Sequence, residues 1–273
     1  MKAFRSLILT FLIFCLTITG LRGQEHHRIV TLSASLTNFI FSLEASDKLI
    51  GCTSYCELPE NLEVTKVASA ITVSIEKVFT LNPDLILATA LTKPETIQKL
   101  RQLGIRVELF NTPVSFDEIC EQFIKVGKLT GKEELAHKII YHEKQKVREL
   151  QTRIPLDQEE PSIFFQIGSK PLFSVLSSTF MDDFITLAGA RNIAADFQKG
   201  TVNRESILLR NPDIIIISLM GILGEQEIET WKKYPGLSAA ENNKILLVDA
   251  NKACSPTPVQ FVEVLQEIIE FIY

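Results

Sequence analysis

Histidine is scarce in this sequence: four residues in 273, at positions 26, 27, 137 and 142. Sites for bare zinc or manganese usually assemble several imidazoles with carboxylates. Two adjacent histidines near one end and two in a charged helical stretch do not make such a set, so a free-ion site is disfavoured. The chain also lacks the common signatures of α/β catalysis. No GxGxxG follows an apolar strand, and there is no Walker A loop, no GxSxG elbow and no HExxH. Carboxylates are plentiful but fall mostly on helix faces patterned for solvent, which argues against an enzyme. Basic residues are outnumbered, 28 against 33 acidic, for a formal charge of −5. That balance makes nucleic acid a poor partner.

Long apolar runs are equally rare. The one near the start, Leu7 to Leu16, follows Lys2 and Arg5 and precedes a short stretch ending in Gly20 and Gly23. About 20 apolar residues are needed to span a bilayer, so this shorter run has the layout of a cleaved signal peptide, residues 1–23. Cys15 occupies the place of a lipidated cysteine, although the bulky Phe14 precedes it. The expected location is therefore periplasmic, or membrane-associated outside the cytoplasm if Cys15 is lipidated. Removing Lys2, Arg5 and Arg22 with the leader leaves 25 basic against 33 acidic residues. Four cysteines remain, Cys52, Cys56, Cys120 and Cys254, enough for one or two disulfides in an oxidising compartment. Cys52 on a strand and Cys120 on an apolar helical face are expected in the core.

The remainder is patterned twice over. "SIEKVFTLNPDLILA" ends at residue 88 and "RESILLRNPDIIIIS" at residue 218. In each, a short helix is stopped by proline and feeds a continuous apolar run typical of a strand covered on both faces. Strand patterns also begin at Arg28, Leu49, Arg106, Ser162 and Lys244, with helical stretches from Ser35, Pro94 and Met181. Alternating strand and helix imply parallel sheets with right-handed crossovers. The expected fold class is therefore α/β: two lobes with parallel-type central sheets, residues 24–114 and 157–273, joined by a helical connector at 115–156. After Gly131 the connector has roughly 22 helical residues, or about 33 Å, enough for one long helix to bridge the lobes. Ligands of open α/β sheets bind beyond the carboxyl ends of the strands, so two facing lobes would enclose a cleft.

Ordered blocks across the mature chain, from "RIVTLSASLTNFIFSLEASDKLIGCTSYCELPENL" through "PSIFFQIGSKPLFS" and "FITLAGARNIAAD" to "SPTPVQFVEVLQEI", resemble the periplasmic substrate-binding proteins that feed ABC importers with iron-siderophore, haem or vitamin B12. The resemblance implies two α/β lobes held by a rigid helix, with little closure around the ligand. The expected function is capture of an iron complex (siderophore or haem) or a corrinoid for delivery to a permease dimer at the membrane. Alternatives are a free-metal binder, or a sensor or enzyme on the same fold. No resident cofactor is expected, since the ligand itself can carry iron or cobalt. The free protein is expected to be a monomer. Family members dock through one surface carboxylate per lobe, and the matching residues are Glu76 and Glu205. Each lies six residues before the Asn of its NPD, in the first turn of a helix, where a carboxylate also complements the dipole.

Cobalamin binders of this kind present large aromatic residues from the loops before the first docking helix and after the first NPD strand. The chain has "ASAITVS" and "ATALTKP" there, offering Thr72 and Thr89 instead. The remaining cleft candidates are Tyr55, Cys56, Phe173, Phe197, Met220 and Cys254, all in or beside loops that follow strands. Tyr55 matches a position that often contacts ligand in the family. Lys170, Lys199, Arg204 and Lys252 could offset an anionic chelate. Cys56 and Cys254, one per lobe, could be a disulfide, a pair of soft ligands or unrelated thiols.

Overall fold

A computed structural model of the protein describes residues 26–69, 72–157, 159–219 and 222–273. The leader at 1–23, with Cys15, and the cleft candidate Met220 lie outside the described residues. The apolar runs read from the sequence become two sheets. The first contains β1 (Ile29–Thr31), β2 (Leu49–Thr53), β3 (Thr65–Ala68), β4 (Leu85–Thr89) and β5 (Val107–Phe110), all parallel and ordered β3-β2-β1-β4-β5. Ile29 lies opposite Leu49 on one side and Leu85 on the other. β1 and β4 are therefore neighbours between which the winding of the sheet reverses, the place where open α/β sheets leave a crevice. Three helices cover the faces: α1 (Ala34–Ser42), α2 (Ile75–Thr80) and α3 (Pro94–Gln102).

The second sheet is ordered β10-β9-β6-β7 and contains β6 (Ser162–Ser169), β7 (Leu172–Ser174), β8 (Arg191–Asn192), β9 (Ile214–Ile217) and β10 (Ile245–Leu247), with β8 also paired to β6. Here the structure departs from an all-parallel expectation, because β7 runs antiparallel to β6. Only Lys170 and Pro171 separate the two strands, and a two-residue link can join antiparallel neighbours but never parallel ones. Around this sheet pack α6 (Asp182–Thr186), α7 (Arg204–Arg210), α8 (Ile222–Trp231), α9 (Ser238–Glu241) and α10 (Ala250–Cys254), followed by the C-terminal α11 (Pro258–Ile272).

The connecting segment forms two helices, α4 (Phe116–Thr130) and α5 (Glu133–Gln151). Gly131 separates them in the left-handed region at φ 71°. α5 is 19 residues long, somewhat shorter than the sequence pattern implied, because Thr152 already caps it. Nor is it a lone rod, since α4 packs along it and α11 returns from the C-terminus to cover both. A Cβ on Gly127 of α4 would come within 2.8 Å of the Ala136 Cβ, so only glycine allows this close crossing.

One apolar cluster consequently runs through the whole molecule. Phe39 of α1 meets Phe123 of α4 edge-on at 5.2 Å. Phe116 stacks on Phe261 of α11 at 4.5 Å, and Phe261 stacks on Phe184 of α6 at 4.2 Å. Asp183 accepts the Phe116 amide at 2.7 Å beside that stack. Separate clusters fill the outer faces, one under α2 and α3, the other around Trp231 under α7, α8 and α9.

The doubled NPD acts alike in both halves. Proline takes the preceding Asn out of the right-handed helix, and Asn82 and Asn211 adopt φ of 46° and 43°. Asparagine tolerates this left-handed geometry, which lets the helix end without a glycine. The aspartates then tie the incoming strand to its neighbour. Asp84 accepts the amides of His27 and Arg28 at 2.9 and 3.2 Å, while Asp213 accepts the amide and hydroxyl of Ser162 at 2.8 and 2.6 Å. Asn82→Ala is predicted to cost about 1–2 kcal/mol in urea denaturation, the penalty for a Cβ residue in the left-handed region, whereas Asn82→Gly should cost less. Equal losses in both variants would contradict this account.

His26 is buried, 2% exposed, at the edge of the same tie. Its Nδ1 lies 3.4 Å from Asp84 Oδ1, and its Nε2 accepts from Arg106 at 3.0 Å. The histidine pair is therefore no free metal-binding tail. Burial lowers the imidazole pKa below its ordinary 6.5; Asp84 opposes that shift and the Arg106 charge adds to it. A second proton would have to go on Nε2, against the guanidinium. The unfolded chain takes that proton as pH falls below 6.5 and the native state resists it, so stability should fall between pH 7 and pH 5. His26→Gln should flatten that slope of melting temperature against pH; an unchanged slope would assign the loss elsewhere.

Candidate functional site

The strand-end loops of the first sheet form a cavity of about 360 Å³ at the β1/β4 reversal. Its walls carry the hydroxyls of Ser33, Thr53, Thr72, Thr89 and Thr92, with Lys93 at the start of α3. A second cavity of about 420 Å³ opens between the lobes, lined by Asn38, Tyr55 and Glu57 from one side and by Leu219, Leu223 and Cys254 from the other. Tyr55 borders both and is 61% exposed, so its ring stands at the junction of the two spaces.

Among the described residues, two hydrogen bonds cross from lobe to lobe. Asn38 Nδ2 donates to the Ser255 carbonyl at 3.1 Å, and Asn251 Nδ2 donates to Glu57 Oε1 at 2.8 Å. Asp249 caps α10 by accepting the Asn251 and Lys252 amides, which holds Asn251 in reach of the first lobe. Together with the shared core, these contacts fix the spacing of the cleft walls.

Of the sequence-derived candidates, the structure gathers Tyr55, Thr72 and Thr89 around the first cavity and Tyr55 with Cys254 in the second. Cys254 faces the cleft with Ser218 Oγ at 3.5 Å, and the surrounding walls strip enough water to push its thiol pKa up. Three expectations are corrected. Phe173 lies in β7, where its ring covers Gly200, and Phe197 stacks under the Arg210 guanidinium at 4.3 Å; neither lines either cavity. Cys56 does not face Cys254. The turn after β2, with the Cys56 amide donating to the Thr53 carbonyl at 3.2 Å, folds its sulfur back toward Cys52. All four described cysteines are free thiols.

The basic candidates are mostly engaged elsewhere. Arg204 pairs with Glu227 and lies over Trp231 at 4.4 Å, and Lys252 pairs with Glu263 at 2.7 Å. Lys93 is the basic residue that does line the first cavity. Sequence reasoning missed it, along with Asn38, Glu57 and Asn251. Lys93 stands just before Pro94, at a helix start beside a strand end, and that signal could have found it. Asn251 and Glu57 are 194 positions apart and carried no such signal.

Glu76 and Glu205 occupy equivalent places. Each lies in the first turn of its helix, α2 or α7, behind an N-cap side chain, Ser74 or Asn203, that accepts an amide of that turn. Both carboxylates are exposed, and neither makes an ion pair or hydrogen bond among the described residues. Exposed apolar side chains accompany them: Phe79 three residues on in α2, 57% exposed, and Leu209 four residues on in α7, 88% exposed.

Two α/β lobes joined by a helical connector, with a cavity opening between them, have the architecture of a solute-binding protein. Residues 29–251 match the model of the periplasmic binding protein family, and the chain belongs to that family. It is 29% identical over 235 residues to the vitamin B12-binding protein of Vibrio cholerae, covering 85% of this chain and 84% of that one. Among solved structures, it resembles a Staphylococcus epidermidis protein described as a possible iron-binding periplasmic solute-binding protein, at TM-score 0.77 and 27% identity over 92% of this chain and all of the other. It also resembles the crystal structure of the Vibrio cholerae vitamin B12 binding protein, at TM-score 0.77 and 26% identity over 90% and 96% of the two chains. No helix among the described residues is long and apolar enough to cross a membrane.

Proposed function

We propose that this chain is an exported solute-binding protein that captures a metal chelate, an iron complex or a corrinoid, and delivers it to an ABC permease. The observation that carries the reading is the composition of the double cavity. Tyr55 stands between a hydroxyl-lined recess and a mixed interlobe space, and the described residues hold no group of three His, Cys, Asp or Glu side chains able to bind a metal ion. Such a site suits a ligand that brings its own metal donors and offers the protein a flat apolar surface with a polar rim. The relatives named for vitamin B12 and for iron support the same class. Residues 1–23 direct export, the protein needs no cofactor of its own, and it works as a monomer that returns its ligand unchanged. Residues 24–114 and 157–273 supply the two walls, and the connector at 115–156 is the spine. Glu76 and Glu205 present one carboxylate per lobe to a two-fold permease.

A melting-shift panel of cyanocobalamin, cobinamide, haem, ferric siderophores and divalent metals tests this. The true chelate should stabilise the protein by about 2.7 kcal/mol at a hundredfold excess over Kd. Tyr55→Ala should weaken that ligand on the order of tenfold, the loss of one aromatic contact. A shift with a divalent ion alone, and none with any chelate, would sink the proposal.

A further inference from the structure

Cys52 and Cys56 form a thiol pair that the ligand reading leaves unused. Cys52 sits near the end of β2, fully buried, and Cys56 comes four residues later beyond an exposed turn, itself 6% exposed. The two thiols are near enough to influence each other's ionisation, and the Lys66 side chain touches both residues. Polar groups surround them. Thr37 Oγ1 is 3.0 Å from Cys56 Sγ and Thr53 Oγ1 is 3.2 Å from it. Thr37 Oγ1 donates to the Ser33 carbonyl at 3.0 Å and has Thr31 Oγ1 behind it at 2.6 Å, so Thr53 is the hydroxyl left to donate to the sulfur. The Lys66 ammonium donates to Cys52 Sγ at 3.3 Å and to the Cys56 carbonyl at 2.9 Å.

This environment favours a thiolate on one sulfur and a proton on the other. The neighbouring Cys52 thiol is the largest influence lowering the Cys56 pKa, with the Thr37 and Thr53 contacts adding to it, while Cys56 and burial push the Cys52 pKa up. A buried thiol kept for packing needs none of these donors. A bound metal cation is disfavoured, because the ammonium sits against one of only two sulfurs and no third His, Cys, Asp or Glu ligand completes a group among the described residues.

We propose that Cys52 and Cys56 are a redox-active dithiol, closed to a disulfide by exchange with a small-molecule disulfide such as oxidised glutathione. Cys56 thiolate attacks one sulfur of the oxidant, forming a mixed disulfide and releasing one glutathione thiolate. Cys52 gives its proton to the released glutathione thiolate, its own thiolate is steadied by Lys66, and it attacks Cys56 Sγ, releasing the second glutathione thiolate, which takes a proton from solvent. Two protein thiols are oxidised and one oxidant disulfide is reduced to two thiols. The segment so tied carries Tyr55, and Glu57 follows it with its hydrogen bond to Asn251, so closing the pair pins the cleft wall.

The purified protein is incubated with oxidised glutathione or with dithiothreitol, then alkylated and mapped by mass spectrometry. The oxidised sample should lose about 2 Da in a peptide linking Cys52 to Cys56, and amide exchange at Ser54 to Glu57 should slow. Cys52→Ser should trap a stable glutathione adduct on Cys56, while Cys56→Ser should form neither adduct nor link. Lys66→Met should slow closure on the order of tenfold by removing the charge beside the resolving sulfur. Full alkylation of both residues after oxidation, or a link to Cys120 or Cys254, would overturn the proposal. Wild-type mapping decides the point even if a variant fails to fold.

Discussion

A Glu76→Lys, Glu205→Lys double variant is expected to lose transport-coupled uptake altogether, by more than about a hundredfold, while the melting shift with ligand stays at its wild-type value. The two carboxylates lie outside both cavities, on helices whose first turns face solvent, so neither touches the ligand space. Under the proposed docking, each reversal turns an attraction to a basic permease surface into a like-charge contact, which costs several kcal/mol at a specific interface. The single variants should fall between, because each removes one of two equivalent anchors. Phe79 and Leu209 beside them offer apolar area that a docked partner would bury. Uptake measured in cells with the double variant decides the matter; an unchanged rate would remove docking from these helices and leave the carboxylates as dipole partners only.

Phe261→Ala is expected to be the most damaging single core change, lowering stability by about 3–5 kcal/mol. That corresponds to a fall of roughly 6–20 °C in melting temperature for a chain of this size. The ring is fully buried and stacked on both sides, at 4.5 Å on Phe116 of the connector and at 4.2 Å on Phe184 of the second lobe. Its loss leaves a cavity where the C-terminal helix meets the connector. If the molecule is one cooperative unit built on a continuous core, the single unfolding transition should shift as a whole. Two transitions, with one unmoved, would show that the lobes unfold independently. Phe79→Ala is the control, since that ring is largely in water and should move the transition little.

The strongly periodic elements were readable before any coordinates. Apolar runs such as "LILA" and "IIIIS" became β4 and β9, and the short helical stretches ahead of each NPD became α2 and α7. Short strands escaped. β7 and β8 are three and two residues long, too short for an alternation to show, and their existence depends on the β6 edge they pair with. That the asparagines leave the right-handed helix followed from the prolines after them; that they take the left-handed region did not, because the helix end imposes a local geometry that asparagine accepts.

Side-chain facing was harder still. Phe173 and Phe197 stand close to strand ends, as cleft residues do, but each found a nearer partner in Gly200 or Arg210. Cys56 could be assigned to the cleft from its neighbour Tyr55, yet one turn with a 3.2 Å backbone hydrogen bond directs the two side chains to opposite sides.

The sequence by itself determined the α/β class, the doubled stopped-helix-to-strand unit, the equivalent placement of Glu76 and Glu205, and the scarcity of histidine. All of these are local: periodicity, caps and composition act within a few residues. Only the tertiary structure decided that the Cys56 sulfur turns inward against Thr53, that Lys93 lines the first cavity, and that Glu57 and Asn251 meet across the cleft. Those outcomes depend on sheet order and on the joint packing of α4, α5 and α11, which bring together residues whose separation along the chain carries no record of their contact.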